Sequence, residues 1–135
     1  MFGVEEVTGA HVSARSLSDG TLRFVALATA LLSPTRAELL LIDEVENGLH
    51  PSRLRLVVEM PLAAAEAHGQ VIVTTHSPAM LAYWPQDRHE DILVVSRDED
   101  DRGTTVVALP EVPGYVQAIS TQSLGELQLE GWMAP

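Results

Sequence analysis

Apolar residues in this chain come in dense blocks separated by short polar stretches. Residues 39–44 read LLLIDE: four apolar positions without a polar break, then two acids. A run of this kind predicts a strand buried on both faces. Residues 70–76, QVIVTTH, repeat the plan and end on His76. Between the two, SRLRLVVEMPLAAAEAH predicts a helix that opens at Pro51 and stops at Gly69. Pro61 lies inside it and predicts a kink or an early break. Upstream, LRFVALATALL is apolar nearly all round, so a buried helix is expected there, capped by Ser18 or Asp19. VEEVTGAHVSAR alternates weakly and predicts one strand and a loop, and SPTRAE is a connector. Downstream, SPAMLAYW predicts a short helix starting at Ser77 and Pro78. DILVVS and TTVVAL predict the two strands of a hairpin whose charged turn is DEDDRG. STQSLGELQLEGWM predicts a small amphipathic helix. Strands alternating with helices point to an α/β class, with a mainly parallel sheet flanked by helices and a C-terminal hairpin. No repeat or low-complexity linker divides the chain, so residues 1–135 are expected to form one unit.

Composition narrows this picture. A length of 135 residues suits one ordinary domain, and 46 % hydrophobic content is enough for a core. With aromatics at 4 %, that core must be aliphatic. A net charge of −11 argues against this segment gripping a nucleic-acid backbone by itself. The absence of cysteine excludes disulfides and thiolate metal sites. No basic stretch followed by an apolar run opens the chain, and no apolar run approaches bilayer length. A cytoplasmic protein without a membrane partner is the expectation. All eight basic residues are arginine; the chain has no lysine.

The chemistry sits at the strand ends. Ligand sites in open α/β sheets lie at the carboxyl ends of the strands, where Asp43, Glu44 and His76 all fall. An aspartate there can hold Mg²⁺ together with phosphate oxygens. The adjacent glutamate can orient or deprotonate a water. A histidine across the site can contact a terminal phosphate, which supplies the parts that phosphoryl transfer needs. LSDGT at 17–21 adds a hydroxyl, backbone N–H groups and the positive end of a helix dipole, which makes an anion-binding corner. Gly20 there allows close backbone approach.

Together these stretches resemble the ABC-type ATPases. LSDGT is similar to their signature motif, LLLIDE to Walker B, VENGLHP at 45–51 to the D-loop, and VTTHSP at 73–78 to the switch-histidine loop. The forms SDG, ENGLHP and TTHSP look most like the RecF/SMC-like, AAA-type predicted ATPases of the ABC class. SLGELQLEG at 123–131 resembles a closing segment of that group. The resemblance implies a partial P-loop NTPase fold and a dimer that sandwiches two ATP molecules. It implies Asp43 as the Mg²⁺ ligand, Glu44 as catalytic base and His76 as the γ-phosphate contact. Ser18, Asp19 and Gly20 would hold ATP phosphate from the opposite head, and Asn47, Gly48, Leu49 and His50 would lie at the dimer seam.

Two departures stand out. Val45 replaces the proline common after the glutamate, which alters backbone stiffness but no chemistry. No GxxxxGKS/T occurs, and without lysine none can be hidden. On the resemblance, the phosphate loop and glutamine loop are expected upstream of Met1. The chain then reads as the C-terminal part of an ATPase head, acting as a homodimer or with the missing N-terminal half. Nucleic acid would be met only through the complete protein. A non-catalytic module that pairs with a complete ATPase is the alternative, and an inactive fragment is a third. More ordinary roles are expected elsewhere: His50 as a helix cap, His11, His68 and His89 on the surface, Met60 and Met80 in the core, and the acids at 98–101 in a solvated turn.

Overall fold

A computed structural model describes residues 3–5, 9, 11–33, 38–97 and 103–133. The chain divides into two compact units, Met1–Thr75 and His76–Pro135. Among the described residues no helix is long and apolar enough to cross a membrane.

The first unit opens with two short strands, β1 (Gly3–Glu5) and β2 (His11–Ser13). They pair antiparallel with Val4 opposite Val12, so the expected strand and loop are two strands. Helix α1 (Asp19–Leu32) follows, with Ser18 as its N-cap. Strand β3 (Leu39–Ile42) pairs in parallel with β4 (Gln70–Val73), from Leu39 opposite Gln70 to Ile42 opposite Val73. Helix α2 (Leu54–His68) connects them and packs on both α1 and β4. A parallel pair needs such a crossover, because a tight turn cannot reverse the chain twice.

The core of this unit is aliphatic. Leu27 and Leu31 of α1 are buried, as are Val45 and the Leu54, Val57, Val58, Met60 and Ala64 face of α2. The expected burial fails here on both β3 and α1. Strand β3 is not buried on both faces: Leu39 is 45 % exposed, Leu41 68 %, and Ile72 of β4 55 %. Only Leu40, Ile42, Val71 and Val73, on the other face, are half-buried. Helix α1 likewise exposes Ala26, Thr29, Ala30 and Leu32. Pro61 does not end α2 early. Proline removes the N–H that would bond the Val57 carbonyl, at a cost of about 3 kcal/mol in an isolated helix. Burial of Val57, Val58, Met60 and Ala64 around it holds the helix together.

The second unit starts with α3 (Pro78–Leu81), capped by the Ser77 hydroxyl on the Met80 N–H. A 3₁₀ segment at Gln86–Asp91 leads into the antiparallel hairpin of β5 (Leu93–Arg97) and β6 (Thr104–Ala108). Most of the turn expected between those strands, residues 98–102, lies outside the described residues. Helices α4 (Tyr115–Ile119) and α5 (Leu124–Leu129) close the chain. Leu81, Leu109, Leu124, Leu127 and Met133 form the core, and Met80 is fully buried.

The segment SLGELQLEG explains itself residue by residue. Ser123 and Glu126 cap each other's backbone at the start of α5. Leu124 and Leu127 enter the core. Gly125 meets the Pro78 carbonyl oxygen, which leaves no room for a Cβ. Gly131, at φ 72°, ends the helix: its N–H bonds Gln128 O, and the Trp132 N–H bonds Leu127 O. His89 departs from its expected surface position. It is 4 % exposed, and its Nδ1 lies 2.8 Å from the Tyr115 hydroxyl.

Candidate functional site

The parallel register of β3 and β4 builds the site in the first unit. Ile42 pairs with Val73, so Thr74 follows beside Asp43. The Thr74 N–H donates to Ile42 O at 3.0 Å, and the Val45 N–H donates to Thr74 O at 3.1 Å. These bonds carry the ladder past the last strand residue and tie the turn after β3 to the end of β4.

The Thr74 side chain works across the same gap. Its Oγ1 accepts the Glu44 N–H at 2.9 Å and donates to Asp43 Oδ1 at 2.5 Å. Glu44 sits at φ 45°, the only left-handed non-glycine residue among those described. Such a residue is worth noticing because its side chain crowds the backbone there, at roughly 1–2 kcal/mol. Further bonds hold it. Arg23 Nη2 donates to Glu44 O at 2.9 Å and to Asp43 O at 3.4 Å. The Asn47 N–H also donates to Glu44 O, at 2.9 Å, and Asn47 Nδ2 donates to Glu44 Oε2 at 3.1 Å.

The N-terminus of α1 forms the neighbouring feature. The Ser18 hydroxyl accepts the Thr21 N–H at 3.2 Å and shares a proton with Thr21 Oγ1 at 2.9 Å. Asp19 is exposed in the first turn. A Cβ on Gly20 would collide with the Gly48 carbonyl oxygen, so helix and loop touch backbone to backbone. Gly48 itself lies at φ 72°, and the Leu49 N–H closes the turn on Glu46 O at 3.0 Å. His50 caps the 3₁₀ turn Pro51–Arg53 by accepting the Ser52 N–H at 3.2 Å, as its sequence position suggested. Arg53 lies 4.9 Å over the Phe24 ring. Ser18, Gly20, Thr21, Gly48, His50 and Arg53 line much of a cleft of about 410 Å³.

The first unit thus joins Ser18 and Gly20, but not Asp19, to Gly48, Leu49 and His50, and links α1 to Asp43 and Glu44 through Arg23. Asp43 and Glu44 are not among the residues lining the cleft. His76 opens the second unit; it is exposed and directly precedes the α3 cap Ser77. Sequence reasoning missed Thr74 and Arg23. The signal for Thr74 was its place one residue past a strand whose parallel partner runs directly into Asp43. Arg23 carried none beyond lying one helical turn from Gly20.

Asp43 has the chemistry for Mg²⁺: an exposed carboxylate with Oδ1 engaged by Thr74. Mg²⁺ takes one or two carboxylates and completes its shell with water and phosphate oxygens. Among the described residues no group of three or more His, Cys, Asp or Glu is arranged to hold a metal.

Comparison with known proteins gives a consistent family. The family described as "AAA domain, putative AbiEii toxin, Type IV TA system" matches residues 1–82. The phosphonates import ATP-binding protein PhnC 2 of Albidiferax ferrireducens is 32 % identical over 113 residues. That match covers 82 % of this chain but 38 % of the relative, so the chain spans well under half of that protein's length. Among solved structures, a chain from a study of ATP-driven dimerization and DNA-stimulated activation of SMC ATPases superposes with a TM-score of 0.55. It is 20 % identical, with 84 % of this chain and 68 % of that chain covered, a likeness of fold. The mixed α/β arrangement fits part of a P-loop NTPase.

Proposed function

Because the chain belongs to the AAA-domain family that matches residues 1–82, an ABC-class ATPase family, we propose that it binds and hydrolyses ATP as the C-terminal portion of a dimeric ATPase head. The observation that carries this reading is the turn after β3. Two adjacent acidic residues are held there, at Asp43 Oδ1 and the Glu44 N–H by Thr74, at the Glu44 carbonyl by Arg23 and at Glu44 Oε2 by Asn47, with Glu44 at φ 45°. A solvated pair of acids needs no such framework, whereas a base that must meet a water in one orientation does.

Asp43 would hold Mg²⁺, which when bound neutralises phosphate charge. Glu44 takes the proton of the attacking water. His76 contacts the γ-phosphate. Ser18, Asp19 and Gly20 present the N-terminus of α1 to ATP held by the opposite head. Asn47, Gly48, Leu49 and His50 face that head at the seam. The phosphate loop comes from a segment other than these 135 residues, either a second chain or sequence continuous with this one. The partner is thus a second head, with no membrane and with nucleic acid engaged only by the complete assembly.

The test is Glu44→Gln in an assembly that includes the phosphate loop. The amide can hold a water but cannot accept its proton. ATP affinity should stay within a few-fold of the parent, phosphate release should fall by two orders of magnitude or so, and ATP-bound dimers should accumulate. Parent-like turnover would remove Glu44 as the base. ATP-dependent pairing with no turnover in the parent itself would favour a non-catalytic module.

A further inference from the structure

We propose that Thr74 is the positioning residue of the acidic pair: one hydroxyl engages Asp43 Oδ1 and holds the backbone on which Glu44 is aimed. The inference rests on the proposed roles of Asp43 and Glu44, and it concerns a residue of the VTTHSP stretch to which the sequence reading assigned no role.

A threonine hydroxyl has one proton and two lone pairs. Here the proton goes to Asp43 Oδ1 and a lone pair takes the Glu44 N–H. The two bonds are coupled. With a lone pair on the Glu44 N–H, the hydroxyl directs its proton to Asp43. Oδ1 is then engaged by Thr74, and Oδ2 takes no part in that bond. The same hydroxyl anchors the amide of a residue held at φ 45°, a conformation the glutamate would leave if unsupported.

Its placement is not incidental. Thr74 continues β4 directly, and its own backbone bonds Ile42 O and the Val45 N–H. The hydroxyl is therefore fixed by the parallel ladder itself. A β-branched side chain adds stiffness at χ1, so the hydroxyl does not wander from the gap between the acids. Valine matches the shape of threonine and deletes the hydroxyl; serine keeps the hydroxyl and deletes the methyl.

Amide hydrogen exchange reads this locally, in the 135-residue chain held in its ATPase assembly. In Thr74→Val the Glu44 amide should exchange at least about tenfold faster, having lost its acceptor. The Val45 amide, bonded to the Thr74 backbone carbonyl, should be unchanged and serves as internal control. Thr74→Ser should protect both amides like the parent. In a phosphate-release assay, Thr74→Val should lower kcat by roughly ten- to a hundredfold with KM for ATP within about twofold, and Thr74→Ser should restore kcat. Parent-like protection of Glu44 in Thr74→Val would overturn the proposal. So would a Thr74→Ser variant as impaired as Thr74→Val, including the case where Thr74→Val fails to fold. If the parent assembly hydrolyses no ATP, the functional reading fails, while the exchange measurement still decides the role of Thr74.

Discussion

Glu44 and His89 show opposite uses of a single residue. Glu44 sits where a side chain is disfavoured, and the bonds from Thr74, Arg23 and Asn47 together offset that strain. Neutral hydrogen bonds contribute on the order of 1 kcal/mol net each, so several suffice against about 1–2 kcal/mol. His89 is instead comfortable, but only while neutral. Burial pushes its imidazole below the ordinary histidine value, against weaker opposing pulls from a hydrogen bond to the Trp84 backbone and from the Asp87 carboxylate. The folded unit therefore gives up this proton at a pH where the unfolded chain still binds it. The stability that follows is fully present above the ordinary value near 6.5, and it is lost as the pH falls through that value and on through the lowered one. The second unit should consequently melt at a lower temperature at about pH 5 than at about pH 7. His89→Phe should flatten part of that slope by removing the titrating group. The check is a set of thermal melts of parent and variant across this range; parallel slopes would show that His89 is not responsible.

At the level of elements, α5 offers the cleanest measurement. Replacing glycine by alanine inside a helix normally stabilises it by up to about 1 kcal/mol. Gly125 should behave the other way. A Cβ there strikes the Pro78 carbonyl oxygen and comes within 3.0 Å of the Ala82 Cβ, so α3 and α5 must separate. Gly125→Ala should destabilise the second unit by about 1–3 kcal/mol, the usual range for overpacking. Urea unfolding followed by circular dichroism measures it, and a raised midpoint would contradict the close approach. The same glycine shows what was legible in the sequence. The starts of helices at Ser18, His50 and Ser77 were readable because caps are local, and all three do what their side chains permit. Strands β3, β4, β5 and β6 were readable from apolar runs, and the order of motifs gave the family. Burial of β3 was not readable, because a run of leucines does not state whether a second layer covers it. Thr74 was hidden because its role arises from the register between two strands 30 residues apart in the chain. The collision behind Gly125 depends likewise on how α3 packs against α5, which no local pattern announces.

The whole chain carries apolar surface that its described residues leave open: Leu39, Leu41, Leu56 and Ile72 in the first unit, and Leu93, Val95 and Val106 in the second. Exposed apolar strands of this kind invite association, which accords with a segment that works inside a larger assembly. The nucleotide chemistry leads to the same expectation. Much of the grip on ATP in P-loop sites comes from a loop whose backbone N–H groups and lysine surround the phosphates. These 135 residues contain no lysine and carry a net charge of −11. Asp43, Glu44 and Glu46 repel a triphosphate wherever a cation does not bridge them. The Ser18 corner offers a few neutral donors, and its hydroxyl is already engaged with the Thr21 N–H and Oγ1. A handful of bonds at on the order of 1 kcal/mol each falls far short of the 8 kcal/mol or so that micromolar binding requires. The 135-residue chain alone should therefore bind ATP more weakly than micromolar and show no steady turnover. Adding a segment that carries the phosphate loop should restore Mg²⁺-dependent hydrolysis, and the restored activity should disappear with Glu44→Gln. Titration calorimetry and phosphate release, each with and without that segment, measure both halves of the expectation. Micromolar affinity in the isolated chain would mean that the acidic turn and the α1 terminus bind nucleotide by a route other than the one argued from their geometry.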